Sequence, residues 1–526
     1  MWLYLLSCAQ TVDPKSNNAI DSGHSCVTPE TVRPEFGRPG QGVASEELET
    51  AEQIAAHLLS DSSVAFVYWR NESRTDYTVH FQDDSALLEW NGLEFTWSPL
   101  PDLNTNPLEY PMLSDELEAG ENPNSATQPG YDSDDERLSF VPLEAAVWPH
   151  LEERVAQIFE DPNSPDMAYA LAPYSRGGVG SHGGMSLAQS RAPLLMSGPG
   201  LNPGPQDIAV RHIDIAPTVA HLLGVEPIEG RQLMGQDGTV RNELLQSCAF
   251  GSADHAVIIT LDGLSHTELR HALDEGWLPQ LSRLDTEQST WVKGGSIVGW
   301  PSFSFPGHIS IHMGAYQGHH GILSNTFWDR EQWLIAPQHS LNTLLADPQA
   351  AQATQNQYLS QQHESLFEAV NRQFPEAQTA SINELAFRGA TYSRLADQLS
   401  PQLPPPPDTL EYELADASAI LQFQNMIDAI GQPKFLSISL YLTDAAGQNH
   451  GPHGDGLREA LITTDSQLKG IFDSYETAGI WEQSLFVVTA DHGMEIQDPT
   501  RTVTHTNLDA LGLPIIQVGQ MIYFEP

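Results

Sequence analysis

Val257-Ile258-Ile259-Thr260-Leu261-Asp262-Gly263 is the stretch on which the reading of this chain turns. Its apolar run shows no polar alternation, as expected for a strand buried on both faces of a parallel sheet. Leu485-Phe486-Val487-Val488-Thr489-Ala490-Asp491-His492-Gly493 repeats the pattern, again with an aspartate at the strand's carboxyl end. In open α/β sheets that end is where ligands bind. The ordinary reading of either aspartate is a helix N-cap. Two such carboxylates, one followed directly by an imidazole, suggest a divalent metal site.

Outward from these runs, further apolar segments at Leu436–Leu442 and Ile515–Phe524 alternate with helical patterns, which predicts an α/β fold with a mostly parallel sheet. A helical pattern runs from Leu48 to Leu59, and a strand is expected at Val64–Trp69. Ala192–Gly200 reads as a buried strand entering a turn, followed by a helix from Ile213 to Leu223 that Gly224 stops. Pro404 to Pro407 mark a linker or excursion, and 98–136 reads as a long surface excursion. Residues 9–45 are rich in Pro, Gly, Ser, Asn and Asp and read as a flexible tether.

The 526 residues carry 69 acidic against 23 basic side chains, a formal charge of −46. Such a surface repels a nucleic-acid backbone, so no nucleic-acid polymer is expected as partner. The three cysteines, Cys8, Cys26 and Cys248, exclude a disulfide framework but allow one bridge. Met1 to Cys8 resembles a bacterial lipoprotein signal ending in Leu5-Leu6-Ser7-Cys8, although no Lys or Arg precedes the apolar run. An extracytoplasmic protein of the bacterial envelope, lipid-anchored through Cys8, is the expectation.

Between the two aspartates lie Ser302-Phe303-Ser304-Phe305-Pro306-Gly307-His308 and Gly321-Ile322-Leu323-Ser324-Asn325. A serine beside a divalent cation can lose its proton and attack phosphorus. An amide such as Asn325 can donate to oxygens that gain charge in the transition state. Taken alone, each is ordinary turn chemistry.

Together, Ile259 to Gly263, Ser304 to His308, His320 to Asn325 and Thr489 to Met494 resemble the type I phosphodiesterase/nucleotide pyrophosphatase family of the alkaline phosphatase superfamily. The resemblance covers about 250–526 and implies an alkaline-phosphatase-like, three-layer α/β/α fold. It implies a phosphoric ester or phosphoanhydride hydrolase using two divalent ions, expected to be zinc. Asp262, Asp491 and His492 would hold one ion together with the nucleophile Ser304, and Asn325 would orient the phosphate. A phosphomonoesterase of the same superfamily is the alternative. A sulfatase is not expected, because that branch places an Arg where this chain has His308.

For the second ion the resemblance implies an Asp, a His four residues on, and a distant His. The chain offers Asp444-Ala445-Ala446-Gly447-Gln448-Asn449-His450-Gly451-Pro452, with Gln448 where the histidine belongs. Either Gln448 ligates through its oxygen or His450 swings in. A degenerate, non-catalytic binding protein is therefore a further alternative.

The distant histidine is not matched downstream of Asp491, where Thr504-His505-Thr506 lacks the family's context. It is matched at the other end, in Gly180-Ser181-His182-Gly183-Gly184, with Pro193-Leu194, Gly198-Pro199-Gly200 and Asp214 to Thr218 after it. Residues 46–225 thus resemble the family's second portion and 255–526 its first, joined by 226–254, with 1–45 as signal and tether. Either the domain is circularly permuted or the chain is a truncated piece of a tandem array. One copy of each ligand type favours permutation, which closely spaced domain termini make physically cheap.

Overall fold

The computed structural model describes residues 31–38, 40–82, 84–106, 108, 146–337, 347–394, 409–498 and 507–525. The Cys8 reading, the Pro404–Pro407 linker, His505 and most of 98–136 lie outside these residues.

Continuous apolar runs produce the strands at the centre of an eight-stranded sheet. Its order is Tyr392–Arg394, Thr379–Ile382, Phe435–Leu440, His255–Leu261, Ser484–Thr489, Leu194–Ser197, Thr290–Val292, Gly204–Gln206. The first five strands are parallel. Leu194–Ser197 runs antiparallel to both neighbours, and Thr290–Val292 is parallel to Gly204–Gln206. The α/β class and the mostly parallel central sheet are as expected.

Alternation along the buried strands feeds two separate cores. Val257, Ile259, Leu261, Leu436, Ile438, Leu440, Phe486 and Val488 pack with the helices Leu410–Ile430 and Asp455–Thr477. Ala256, Ile258, Phe435, Leu485 and Val487 face the helices Ile215–Leu222 and Leu366–Gln373. Helices on both faces make three layers. On the second face Ser437 and Ser439 replace apolar residues and stay buried, each hydrogen-bonded to Glu384.

A second, seven-stranded sheet was not anticipated. Its order is Ile515–Val518, Met521–Phe524, Met167–Leu171, Val64–Arg70, Asp76–Phe81, Ser85–Trp90, Phe95–Ser98, antiparallel throughout. The apolar run read as one strand at Ile515–Phe524 is a hairpin, turned at Gly519 with φ +61°. Met521 pairs with Ala168, so the end of the chain lies beside a strand from its first half.

Residues 31–45, read as part of a tether, pack on the body. The Phe36 ring lies 5.1 and 4.9 Å from those of Trp90 and Phe95, and the Glu160 carboxylate accepts the backbone N–H groups of Gly37 and Arg38. The composition signalled disorder because one aromatic anchor and one buried carboxylate leave no periodic trace. Cys248 is disulfide-bonded. Among the described residues no helix is long and apolar enough to cross a membrane.

Candidate metal centre and nucleophile

Three carboxylates meet at the carboxyl edge of the parallel strands. Asp262 directly follows His255–Leu261, and its N–H donates to the Leu440 carbonyl at 2.9 Å. Asp491 lies just past Ser484–Thr489, and Asp444 sits in the first turn of Leu442–His450, which follows Phe435–Leu440. Gly263 has φ +65°, and a Cβ there would come within 2.5 Å of Asp444 Oδ1. Its N–H donates to Asp491 Oδ1 at 2.9 Å. A bare backbone at this turn lets all three acids converge.

Ser304 opens the helix Ser304–Met313, all of whose side chains are buried. Its Oγ stands 3.4 Å from Asp262 Oδ1 and 3.2 Å from His492 Nε2. The Phe305 N–H donates to Asn325 Oδ1 at 2.9 Å, which leaves the NH2 group of Asn325 as a donor beside Ser304. Helix N-termini favour anions, because free N–H groups and the helix dipole point that way.

Three imidazoles complete the cluster, each with Nδ1 tied back and Nε2 turned towards the acids. His492 Nδ1 bonds the Gly493 carbonyl at 2.9 Å, and Nε2 lies 3.1 Å from Asp491 and 3.7 Å from Asp262. His182 Nδ1 bonds the Ser302 carbonyl at 3.2 Å, and Nε2 lies 3.7 Å from Asp444 Oδ1. His308 Nδ1 meets Glu384 at 2.7 Å, and Nε2 lies 3.4 and 3.9 Å from Asp262 and Asp491. An outer partner that fixes the tautomer is characteristic of ligating histidine.

Two groups result that could hold an ion: Asp262, His308 and Asp491, and His182, Asp444 and His492. Within the second group the His182 and His492 rings stack 3.7 Å apart, and His492 Nε2 lies 3.1 and 3.7 Å from Asp491 and Asp262 of the first, which puts the groups side by side. Gln448 reaches the second group, with Nε2 3.2 Å from His182 Nε2 and 2.6 Å from Asp444 Oδ2. His450 does not. It is exposed, with its ring against Gly456.

The electrostatics fit cations. Burial, reinforced by Asp491 and Asp444, holds the Asp262 carboxyl well above the usual carboxylate range. Burial pushes Asp444 up to about 6 against the pull of His492. Asp491 Oδ2 and Asp444 Oδ1 are buried and have no hydrogen-bond partner among the described residues. Buried oxygens of this kind are costly unless a cation or donor meets them. Burial, then His492 and Arg176, depress His182, keeping it in the neutral form that binds metal. His308 is raised: Glu384 and Asp262 outweigh the burial that would lower it.

No role for His308 or Glu384 follows from the sequence alone. His308 lies one helical turn after Ser304, a spacing that puts both on one face. Glu384 follows the strand Thr379–Ile382, the same strand-end signal that singled out Asp262.

Residues 256–510 match the family described as type I phosphodiesterase / nucleotide pyrophosphatase, so the resemblance read from the motifs holds over that segment. The chain is 22% identical over 269 residues to ectonucleotide pyrophosphatase/phosphodiesterase 1 of Saccharomyces cerevisiae, covering 48% of this chain and 35% of the yeast protein. It is 24% identical over 196 residues to ectonucleotide pyrophosphatase/phosphodiesterase family member 3 of Mus musculus, covering 37% and 20%. The chain therefore spans about a third or less of the length of these relatives. Among solved structures it is similar to phosphonoacetate hydrolase from Sinorhizobium meliloti 1021 in complex with phosphonoformate, with TM-score 0.31, 18% identity, and 45% and 56% of the two chains covered. Murine ectonucleotide pyrophosphatase/phosphodiesterase 5 gives TM-score 0.31, 12% identity, and 45% and 57% covered.

Proposed function

We propose that this chain hydrolyses phosphodiesters or pyrophosphates of small molecules, nucleotides among them, through a covalent intermediate on Ser304. The observation that carries the reading is the place of Ser304 Oγ, at a buried helix N-terminus and within 3.4 Å of both Asp262 and His492. Asp262, Asp491, His492 and Ser304 would hold one ion, with His308 turned to the same two acids. Asp444, His182 and Gln448 would hold the other. The mixed imidazole and carboxylate donors suit zinc. Bound ions of this kind supply Lewis-acid stabilisation to the attacking and leaving oxygens.

Ser304 Oγ gives up its proton to solvent and attacks phosphorus in line. The bond to the leaving alcohol or phosphate breaks, and the bonding pair departs with that group. The Asn325 NH2 and the N-terminal N–H groups of the Ser304–Met313 helix steady the non-bridging oxygens. Water then cleaves the phosphoseryl ester, restoring the serine and releasing the phosphorylated product.

This reading includes a single domain in swapped order, with 46–225 supplying His182 and 255–526 supplying the other ligands. It is supported by the 3.7 Å approach of His182 to Asp444 and by the pairing of Leu194–Ser197 with Ser484–Thr489. An extracytoplasmic location with a lipid on Cys8 belongs to the same proposal.

One observation favours a second reading, a binding protein that has lost catalysis: Gln448 stands where the family places a histidine. Turnover of a chromogenic phosphodiester separates the two. Ser304→Ala is expected to lower kcat by roughly a thousandfold or more while the protein stays folded. Wild-type protein loaded with zinc that shows no turnover favours the binding protein.

A further inference from the structure

Arg176 is a cation without an anion among the described residues. Although the chain carries 69 acidic side chains, none pairs with this guanidinium among the described residues, and no acid contributes to its electrostatics. Among the described residues its side chain makes one hydrogen bond, from Nη1 to the neutral amide oxygen of Gln520 at 2.9 Å. Burial lowers its pKa to about 10, so it stays protonated at neutral pH.

Its position is built. The Arg176 and Gly177 N–H groups both donate to Gln497 Oε1, at 2.7 and 3.1 Å. Gln520 is fixed through Nε2 to the Tyr169 carbonyl at 3.0 Å. Both glutamines are buried. The guanidinium lies over the Phe303 ring, Cζ 4.7 Å from its centroid. A Cβ on Gly183 would come within 2.8 Å of Nη1 and 2.4 Å of the Phe303 ring. Arg176 thus sits between the residue that precedes Ser304 and the residue that follows His182. Arginine has five N–H donors. One is used here, and none of the others is among the buried groups lacking a partner. They sit on a side chain that is partly exposed, beside Phe303 and Gly183.

Direction follows from the chemistry of displacement. An in-line attack by Ser304 sends the leaving group away from Asp262 and Asp491, towards the side held by Asp444 and His182. Arg176 flanks His182. We propose that Arg176 is a specificity residue that binds a second oxyanion on the leaving-group side of the substrate, a phosphate or a carboxylate. This rests on the phosphoester reading of the site. The unpaired fork of donors matches either anion in a bidentate manner.

Three substrates test it: bis(p-nitrophenyl) phosphate, which lacks a second anion; adenosine 5′-triphosphate, whose leaving group is pyrophosphate; and a phenyl phosphodiester with a carboxylate on the leaving ring. Arg176→Gln is expected to cut kcat/KM on an anion-bearing substrate roughly 10- to 100-fold and on bis(p-nitrophenyl) phosphate less than about threefold, with Arg176→Lys between. A loss confined to the triphosphate identifies phosphate as the anion, and a loss confined to the carboxylated diester identifies carboxylate. Equal losses on all three substrates, or no loss on any, overturn the proposal. Calorimetric binding of pyrophosphate to the zinc-loaded protein gives a readout without turnover. There Arg176→Lys, which keeps the charge and the fold, should bind more weakly than wild type, and unchanged affinity overturns the phosphate arm. A wild type that turns over none of the three removes the reading of the site itself, whereas a wild type active on all three isolates the arginine.

Discussion

At the residue scale, Gln448 is the position where chemistry and family pattern part. An amide oxygen is a neutral, hard donor, and a weaker partner for zinc than an imidazole. Gln448 nonetheless reaches both His182 and Asp444, through its NH2 group, whereas the His450 ring lies against Gly456. Gln448→His is therefore expected to tighten binding of the second cation by about tenfold or more, measured by competition with a chelator of known affinity. An unchanged second affinity would mean that residue 448 is no ligand. The sequence made Asp262, Asp491, His492 and Ser304 legible because each stands at a strand end or helix start with a characteristic neighbour. Glu384 escaped notice because its strand, Thr379–Ile382, is short and interrupted by Ser381. Spacing does not encode where the His450 ring lies, because the Leu442–His450 helix ends directly after it at Gly451, with φ +83°.

At the element scale, the helix carrying Asp444 is positioned by a buried acid from another helix. Asp416, in Leu410–Ile430, accepts the N–H groups of Tyr441 and Leu442 at 2.8 and 3.0 Å. Burial raises its pKa from 3.8 to about 7. The folded state therefore holds this proton more tightly than the unfolded chain does. The stability it contributes is complete below about pH 3.8 and is lost as pH rises towards 7, at most about 4 kcal/mol. Asp416→Asn should flatten that part of the profile, so that its melting temperature gains on wild type between pH 4.5 and 7. Parallel profiles for the two proteins would show that Asp416 does not titrate in this range. The buried central strands were readable from their unbroken apolar runs. The second sheet was not, because strands such as Asp76–Phe81 and Ser85–Trp90 are short, half-exposed and mixed in polarity. The same limit made the Ile515–Phe524 hairpin look like one strand.

At the scale of the whole molecule, the two halves of the chain share both sheets. Leu194–Ser197 lies between Ser484–Thr489 and Thr290–Val292, and Met167–Leu171 lies between Val64–Arg70 and Met521–Phe524. Neither sheet is complete without strands from both. The proposed swapped order rests on the motifs: each ligand type occurs once, and His182 stands in the context expected at the far end. The antiparallel entry of Leu194–Ser197 into the parallel sheet was beyond reach, because strand direction leaves no mark on a short apolar run. One centre with two cations, assembled from both halves, is what we propose for this molecule. Metal content of purified His182→Ala beside wild type tests it most directly. Wild type is expected to carry about two divalent ions per chain, and the variant to lose one of them together with phosphodiesterase turnover. A folded variant that keeps both ions and its turnover would contradict it.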